Sequence, residues 1–184
     1  MPRIDAILKL FHERGHSEYG GEPVTQLEHA LQCATLAEAE HASPALIAAA
    51  LLHDIGHLLH QLPDDAPDHG VDDVHEELGY RYLSQQFGTG VAEPVRLHVP
   101  AKRYLCAINA EYMARLSPPS VMSLALQGGP MSADEMASFE ANPFAMDAVR
   151  LRKWDDEAKV SGLPTPNAEH FAQYLRAALT HPAD

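Results

Sequence analysis

An all-α fold is predicted for this 184-residue chain, and three observations predict it. Apolar residues recur at 3.6-type spacing along most of its length, helix-start signals punctuate that pattern repeatedly, and strand-like alternation is negligible. Ser43-Pro44, Ser117-Pro118 and Thr165-Pro166 each read as an N-cap followed by proline in the first helical position. Thr25-Gln26-Leu27-Glu28 and Ser132-Ala133-Asp134-Glu135 fit the reciprocal capping box. Helices are therefore expected near 3–14, 26–42, 44–57, 73–87, 90–106, 108–115, 118–126, 133–140, 145–158 and 166–179. The Pro-, Asp- and Gly-rich stretch from Asp64 to Asp73 is the longest expected loop, and Gln127-Gly128-Gly129-Pro130-Met131 is a second break. Length and the absence of a linker or repeat favour one domain over residues 1–184.

Composition narrows the functional classes. A net charge of −13 with no basic stripe disfavours nucleic acid as partner. No apolar run approaches a membrane span, and the first residues alternate apolar and charged side chains where a signal peptide would be continuously apolar, so cytoplasmic residence is expected. The two cysteines, Cys33 and Cys106, lie apart in apolar helical stretches and read as reduced core residues. Nothing in the sequence sets the oligomeric state.

The chemistry sits in the histidines, of which there are 12. Ala48 to His57 ends an apolar helix on His53-Asp54, a placement that is costly for a buried carboxylate unless it is paired or coordinated. His29 lies early in the helix opened by Thr25, His75 early in a third helix, His98 within Val95-Arg96-Leu97-His98-Val99, and Asp155 after Arg152-Lys153-Trp154. Helical bundles gather such separated positions around one core site. His29, His53, Asp54, His75, His98 and Asp155 exceed what one tetrahedral zinc would use and suit two six-coordinate ions bridged by Asp54. His12, His16, His41, His60, His69, His170 and His181 read as ordinary surface or core residues.

His29…His53-Asp54…Asp155 resembles the metal signature of the HD-domain superfamily, whose commoner members are metal-dependent phosphohydrolases. Tyr19-Gly20-Gly21-Glu22, Gln26-Leu27-Glu28-His29, the run His98 to Leu105, Gln127 to Met131 and Arg152 to Asp155 are together similar to a narrower branch. That branch comprises the mixed-valent diiron oxygenases that cleave the carbon–phosphorus bond of 1-hydroxy-2-aminoethylphosphonates. The resemblance covers about 19–155 in order. It implies an HD-domain helical bundle with extra C-terminal helices and an Fe(II)/Fe(III) pair. One iron would be held by His29, His53, Asp54 and Asp155, the other by Asp54, His75 and His98. It further implies dioxygen as co-substrate and a small organophosphonate, with a primary or trimethylated ammonium, cleaved to glycine or glycine betaine plus phosphate.

By the same resemblance His57, Lys102, Ser120 and Ser123 bind the phosphonate, Tyr19 is a displaceable iron ligand acting as a gate, and Glu22 receives the substrate's amino group. Lys102 stands one helical turn after His98, which aims a cation at whatever that metal holds. Pro100 replaces a smaller residue of the branch, and a proline there is expected to bend the helix and alter the reach of Lys102. The segment Leu58 to Asp73 is dissimilar. An HD phosphohydrolase is the alternative reading, but it leaves Tyr19, Glu22 and the His98 to Leu105 run without a task. A regulatory HD module without turnover would not need the complete ligand set, and a cyclitol oxygenase would not need the phosphonate cradle.

Overall fold

The computed structural model describes residues 2–59 and 73–180. Among the described residues there are eleven helices and no strand beyond isolated bridges. They are α1 (Pro2–Arg14), α2 (Gln26–Ala39), α3 (Pro44–Leu52), α4 (Ile55–Leu59), α5 (His75–Leu83), α6 (Thr89–Ile108), α7 (Ala110–Ala114), α8 (Pro118–Leu126), α9 (Ala133–Glu140), α10 (Ala145–Glu157) and α11 (Ala168–Ala178).

Several boundaries follow from capping chemistry. Thr25 Oγ1 accepts from the Glu28 amide while Glu28 Oε2 accepts from the Thr25 amide, so two otherwise unpaired donors are satisfied at the start of α2. Ser132 and Glu135 do the same for α9. Ser43 and Ser117 cap α3 and α8, each with proline in the first turn. Thr165-Pro166 does not start α11; Asn167 does, its Oδ1 accepting from the His170 amide. Asparagine is among the strongest caps, and the helix begins where its side chain closes on the backbone.

The expected helix 44–57 is broken. α3 stops at Leu52, and α4 resumes at Ile55 after the corner His53-Asp54. The His53 imidazole Nδ1 donates to the Ala50 carbonyl at 2.8 Å, a side-chain bond that competes with the helical ladder at that turn. α6, in contrast, runs from Thr89 to Ile108 across both Pro94 and Pro100, so the expected disturbance does not break the helix.

α3 is the central element. Leu46 to Leu52 are all buried, as befits a helix apolar around its whole circumference, and α2, α6, α10 and α11 pack around it. Its core includes Ile7, Phe11, Leu51, Leu83, Trp154, Phe171 and Leu175. A second cluster of Leu97, Tyr104, Leu105, Phe139 and Ala148 joins α6, α9 and α10. α4 crosses the start of α5 so closely that a Cβ on Gly56 would meet the His75 carbonyl oxygen at 2.0 Å. Only glycine permits that approach, which brings His75 beside Asp54. No helix among the described residues is long and apolar enough to cross a membrane.

A candidate dinuclear metal centre

Five elements deliver six side chains to one buried point: His29 from α2, His53 and Asp54 from the α3–α4 corner, His75 from the first position of α5, His98 from α6 and Asp155 from α10. His29 and His53 have no exposed surface, and His98 and Asp155 have 1% each.

The imidazole hydrogen bonds determine what these rings offer. Nδ1 of His29 lies 2.8 Å from the Ala158 carbonyl, Nδ1 of His53 2.8 Å from the Ala50 carbonyl, Nδ1 of His98 2.6 Å from the Val95 carbonyl, and Nδ1 of His75 2.8 Å from Asp73 Oδ1. All four partners only accept, so each Nδ1 carries hydrogen and each neutral ring presents a lone pair at Nε2. Those lone pairs face one another, at 3.1 Å for His29 and His53 and at 3.2 Å for His75 and His98. Such contacts are repulsive unless a cation lies among them.

Asp54 completes the pattern. Neither of its buried oxygens has a hydrogen-bond partner. Oδ2 lies 3.5 and 3.3 Å from Nε2 of His29 and His53, and Oδ1 lies 3.3 Å from Nε2 of both His75 and His98. One carboxylate thus turns one oxygen to each histidine pair. His29, His53 and Asp155 form one set of donors with metal-binding spacing, and Asp54, His75 and His98 form another. Imidazole nitrogen and carboxylate oxygen suit iron, zinc or manganese, and the orphaned oxygens of Asp54 are the structural reason to place cations here. The residues fit a dinuclear metal pair.

Charge balance agrees. Burial opposes charging of His29 and His53, yet the carboxylates raise them to about 9 and about 10, chiefly Asp155 and Asp54 for His29 and Asp54 for His53, so without a metal a proton takes the place that a cation would fill at Nε2. Burial likewise opposes charging of Asp54, but His53, His29 and His75 hold it well below the usual carboxylate range. Asp155 is held down by Arg152, His29 and His53 against its own burial. His98, under burial and the neighbouring imidazoles, goes down. The cavity demands positive charge at its centre.

Of the remaining candidate residues, Tyr19 and His57 touch this cluster directly. The Tyr19 ring stacks on His29 with centroids 3.9 Å apart, and its hydroxyl lies 3.5 Å from Asp155 Oδ1. Tyr19 sits at a turn closed by the Glu22 amide donating to its carbonyl, with Gly20 and Gly21 at φ 49° and 79° supplying the two positive-φ positions of a type I′ turn. Lys102, 2% exposed, donates to Ser123 Oγ at 2.8 Å. Ser120 Oγ lies 3.1 Å from Lys159 Nζ and 3.0 Å from Ser117 Oγ. His57 stacks on His75 at 4.0 Å, and its Nδ1 lies 2.7 Å from Asp73 Oδ2. Glu22 faces Ser117 and Lys159.

Three residues escaped the sequence reading. Asp73 holds both His75 and His57, Arg152 holds Asp155, and Lys159 pairs with Glu22. Arg152 and Asp73 stand three and two residues before Asp155 and His75, the donors they hold in place. His12 and His170 pair on the surface with Glu169 and Glu38, whereas His60, His69 and His181 lie outside the described residues. Cys33 and Cys106 are buried and unlinked. Asp73→Asn is expected to weaken metal binding about 10- to 100-fold, the usual cost of losing an outer partner of a metal-ligating histidine. The loss should fall on one ion of the pair, resolved as a split in competitive chelator titrations; equal weakening of both would show that Asp73 acts on the fold.

A buried, all-helical cage of histidines and aspartates built on a His-Asp corner defines the class. The chain belongs to the HD-domain family, whose model matches residues 26–122. That span carries His29, His53, Asp54, His75 and His98; Asp155 comes from α10 beyond it. Over 97% of its length the chain is 48% identical to hydroxymethylphosphonate dioxygenase of Gimesia maris, of which 89% is covered. Over 94% it is 46% identical to [1-hydroxy-2-(trimethylamino)ethyl]phosphonate dioxygenase (glycine-betaine-forming) of Leisingera caerulea, with 88% covered. An uncharacterized protein of Acanthamoeba polyphaga mimivirus is 38% identical over 85% of the chain, with 73% of that protein covered.

Proposed function

We propose that this protein is an oxygenase that cleaves the carbon–phosphorus bond of a 1-hydroxyphosphonate with dioxygen, releasing a carboxylate and phosphate. The carrying observation is Asp54, whose two orphaned oxygens each face a pair of imidazole lone pairs. The names of the two dioxygenase relatives support the reaction class and a hydroxyphosphonate substrate. A mixed-valent iron pair would be held by His29, His53, Asp54 and Asp155 on one side and by Asp54, His75 and His98 on the other. When bound, it supplies dioxygen activation and Lewis-acid binding of an anionic chelating substrate.

The chain's own residues orient that substrate. Lys102 and Ser123 bind the phosphonate oxygens, with Ser120 and His57 at the edges of the same cradle. Burial first, then the Arg152 charge, pushes Lys102 down to about 7, so its ammonium is readily lost in the empty site and is restored by a dianion. Tyr19, stacked over His29 beside Asp155, is near enough to the first donor set that it would serve as a displaceable ligand of a metal held there. Glu22 would meet whatever substituent the substrate carries on C1, the part in which the two relatives' named substrates differ.

The deciding experiment is phosphate release from hydroxyphosphonates by iron-loaded protein with and without dioxygen. Strict dependence on dioxygen is expected, with one labelled oxygen atom in the carboxylate product. Undiminished hydrolysis of a phosphate ester under anaerobiosis would favour an HD phosphohydrolase instead.

Lys102→Met should leave metal content unchanged and raise the Michaelis constant about ten- to a hundredfold, the value of a charge-assisted bond of about 1.5–3 kcal/mol. Because the Lys102 value is depressed, phosphonate binding should take up a proton and weaken as pH rises through about 7 and above. Anaerobic calorimetry in buffers of different ionisation enthalpy measures this; identical proton uptake by wild type and Lys102→Met would remove Lys102 from the cradle.

A further inference from the structure

Lys159 follows the end of α10 and is held in place by its neighbours. The Ala158 carbonyl accepts from His29, while the Val160 amide donates to Gln32 Oε1 and the Val160 carbonyl accepts from Gln32 Nε2, at 3.0 and 2.8 Å. This clamp to α2 directs the Lys159 side chain inward, where it is 12% exposed. Its Nζ lies 3.1 Å from Glu22 Oε1, 3.1 Å from Ser120 Oγ and 6.0 Å from the centre of the Tyr19 ring. Glu22 is itself 10% exposed and accepts from Ser117 Oγ at 2.5 Å.

A carboxylate, an aromatic face and hydroxyl groups are the features that recognise an alkylammonium. Here they already surround one. We infer that Lys159 is a specificity-determining residue whose tethered ammonium occupies the site that Glu22, Tyr19 and Ser120 would offer to a substrate's ammonium, so that this protein prefers 1-hydroxyphosphonates carrying no nitrogen. The inference rests on the reading of the site as one for hydroxyphosphonates. A substrate ammonium entering the cradle must separate Lys159 from Glu22 and leave two cations to share one carboxylate. Hydroxymethylphosphonate meets no such conflict, and Lys159 adds a positive charge on the Ser120 side of the phosphonate.

The test uses iron-loaded protein and three probes: hydroxymethylphosphonate, 1-hydroxy-2-aminoethylphosphonate and its trimethylated analogue. Dissociation constants are taken anaerobically by calorimetry, and kcat/KM aerobically by phosphate release. Wild type should favour the nitrogen-free probe by about tenfold or more in both measurements, the scale of one charge-assisted contact. Lys159→Met should shift the ratio toward the ammonium probes by a similar factor, and Lys159→Arg should retain the wild-type preference. Preference of the wild type for an ammonium probe, an unchanged ratio in folded Lys159→Met, or no binding of any probe would overturn the inference. Should the probes bind in the expected order without dioxygen-dependent phosphate release, the specificity assignment stands and the reaction assignment falls.

Discussion

Asp54→Ala is expected to strip the protein of both metal ions and to abolish dioxygen-dependent phosphate release. The other candidate ligands serve one donor set each, whereas Asp54 turns Oδ2 toward His29 and His53 and Oδ1 toward His75 and His98. Removing it leaves four inward imidazole nitrogens with no anion between the pairs, and two cations brought close together would then repel without a bridging charge. Elemental analysis after gel filtration should fall from about two metal ions per chain, the stoichiometry suited to this donor count, to near none. Full retention of one ion would show that the two sets bind independently and that Asp54 does not bridge them.

Arg152→Met should destabilise the fold by about 3–5 kcal/mol, the range for stranding a buried charge by removing its partner. Arg152 is 4% exposed; its Nη1 lies 2.8 Å from Asp155 Oδ2, and its Nε and Nη2 reach Asp156. Tyr112 joins the network, its hydroxyl 2.5 Å from Asp156. By occupying Oδ2, the guanidinium leaves Asp155 Oδ1 aimed at His29, 3.4 Å away. The substitution therefore acts twice, on stability through uncompensated carboxylates and on the first donor set through a released ligand. Urea denaturation of chelator-treated protein isolates the first effect, and metal affinity measured well below the unfolding midpoint isolates the second. A stability change under about 0.5 kcal/mol, the level of an ordinary surface substitution, would mean that the network is solvated in solution.

Most helices were legible because their causes are local. Thr25 with Glu28, Ser132 with Glu135, and proline after Ser43 and Ser117 each act within one turn, so the residues that start these helices are neighbours in sequence. Local signals misled at Thr165-Pro166, where Asn167 two positions on is the effective cap, and at 53–54, where a continuous apolar pattern hides a corner. The six donors stood out because buried histidine and aspartate are costly without a common purpose. The structure brings these six together in two sets, with Tyr19 stacked on His29 and His57 on His75, while Lys102 bonds Ser123 and Ser120 bonds Lys159.

What the sequence by itself determined is the helical class, the caps and the kinds of donor atom, since propensity, hydrophobic period and ligand chemistry belong to residues and their near neighbours. Only the tertiary structure decided that Asp54 offers one oxygen to each histidine pair, that Asp73 anchors both His75 and His57, and that Lys159 meets Glu22 across 137 positions. Orientation of a carboxylate and pairing of distant charges depend on packing around α3 and on the clamp between α2 and the end of α10. No periodicity in the chain encodes such contacts, because the interaction energy depends on ångström-scale separation in space and not on distance along the backbone.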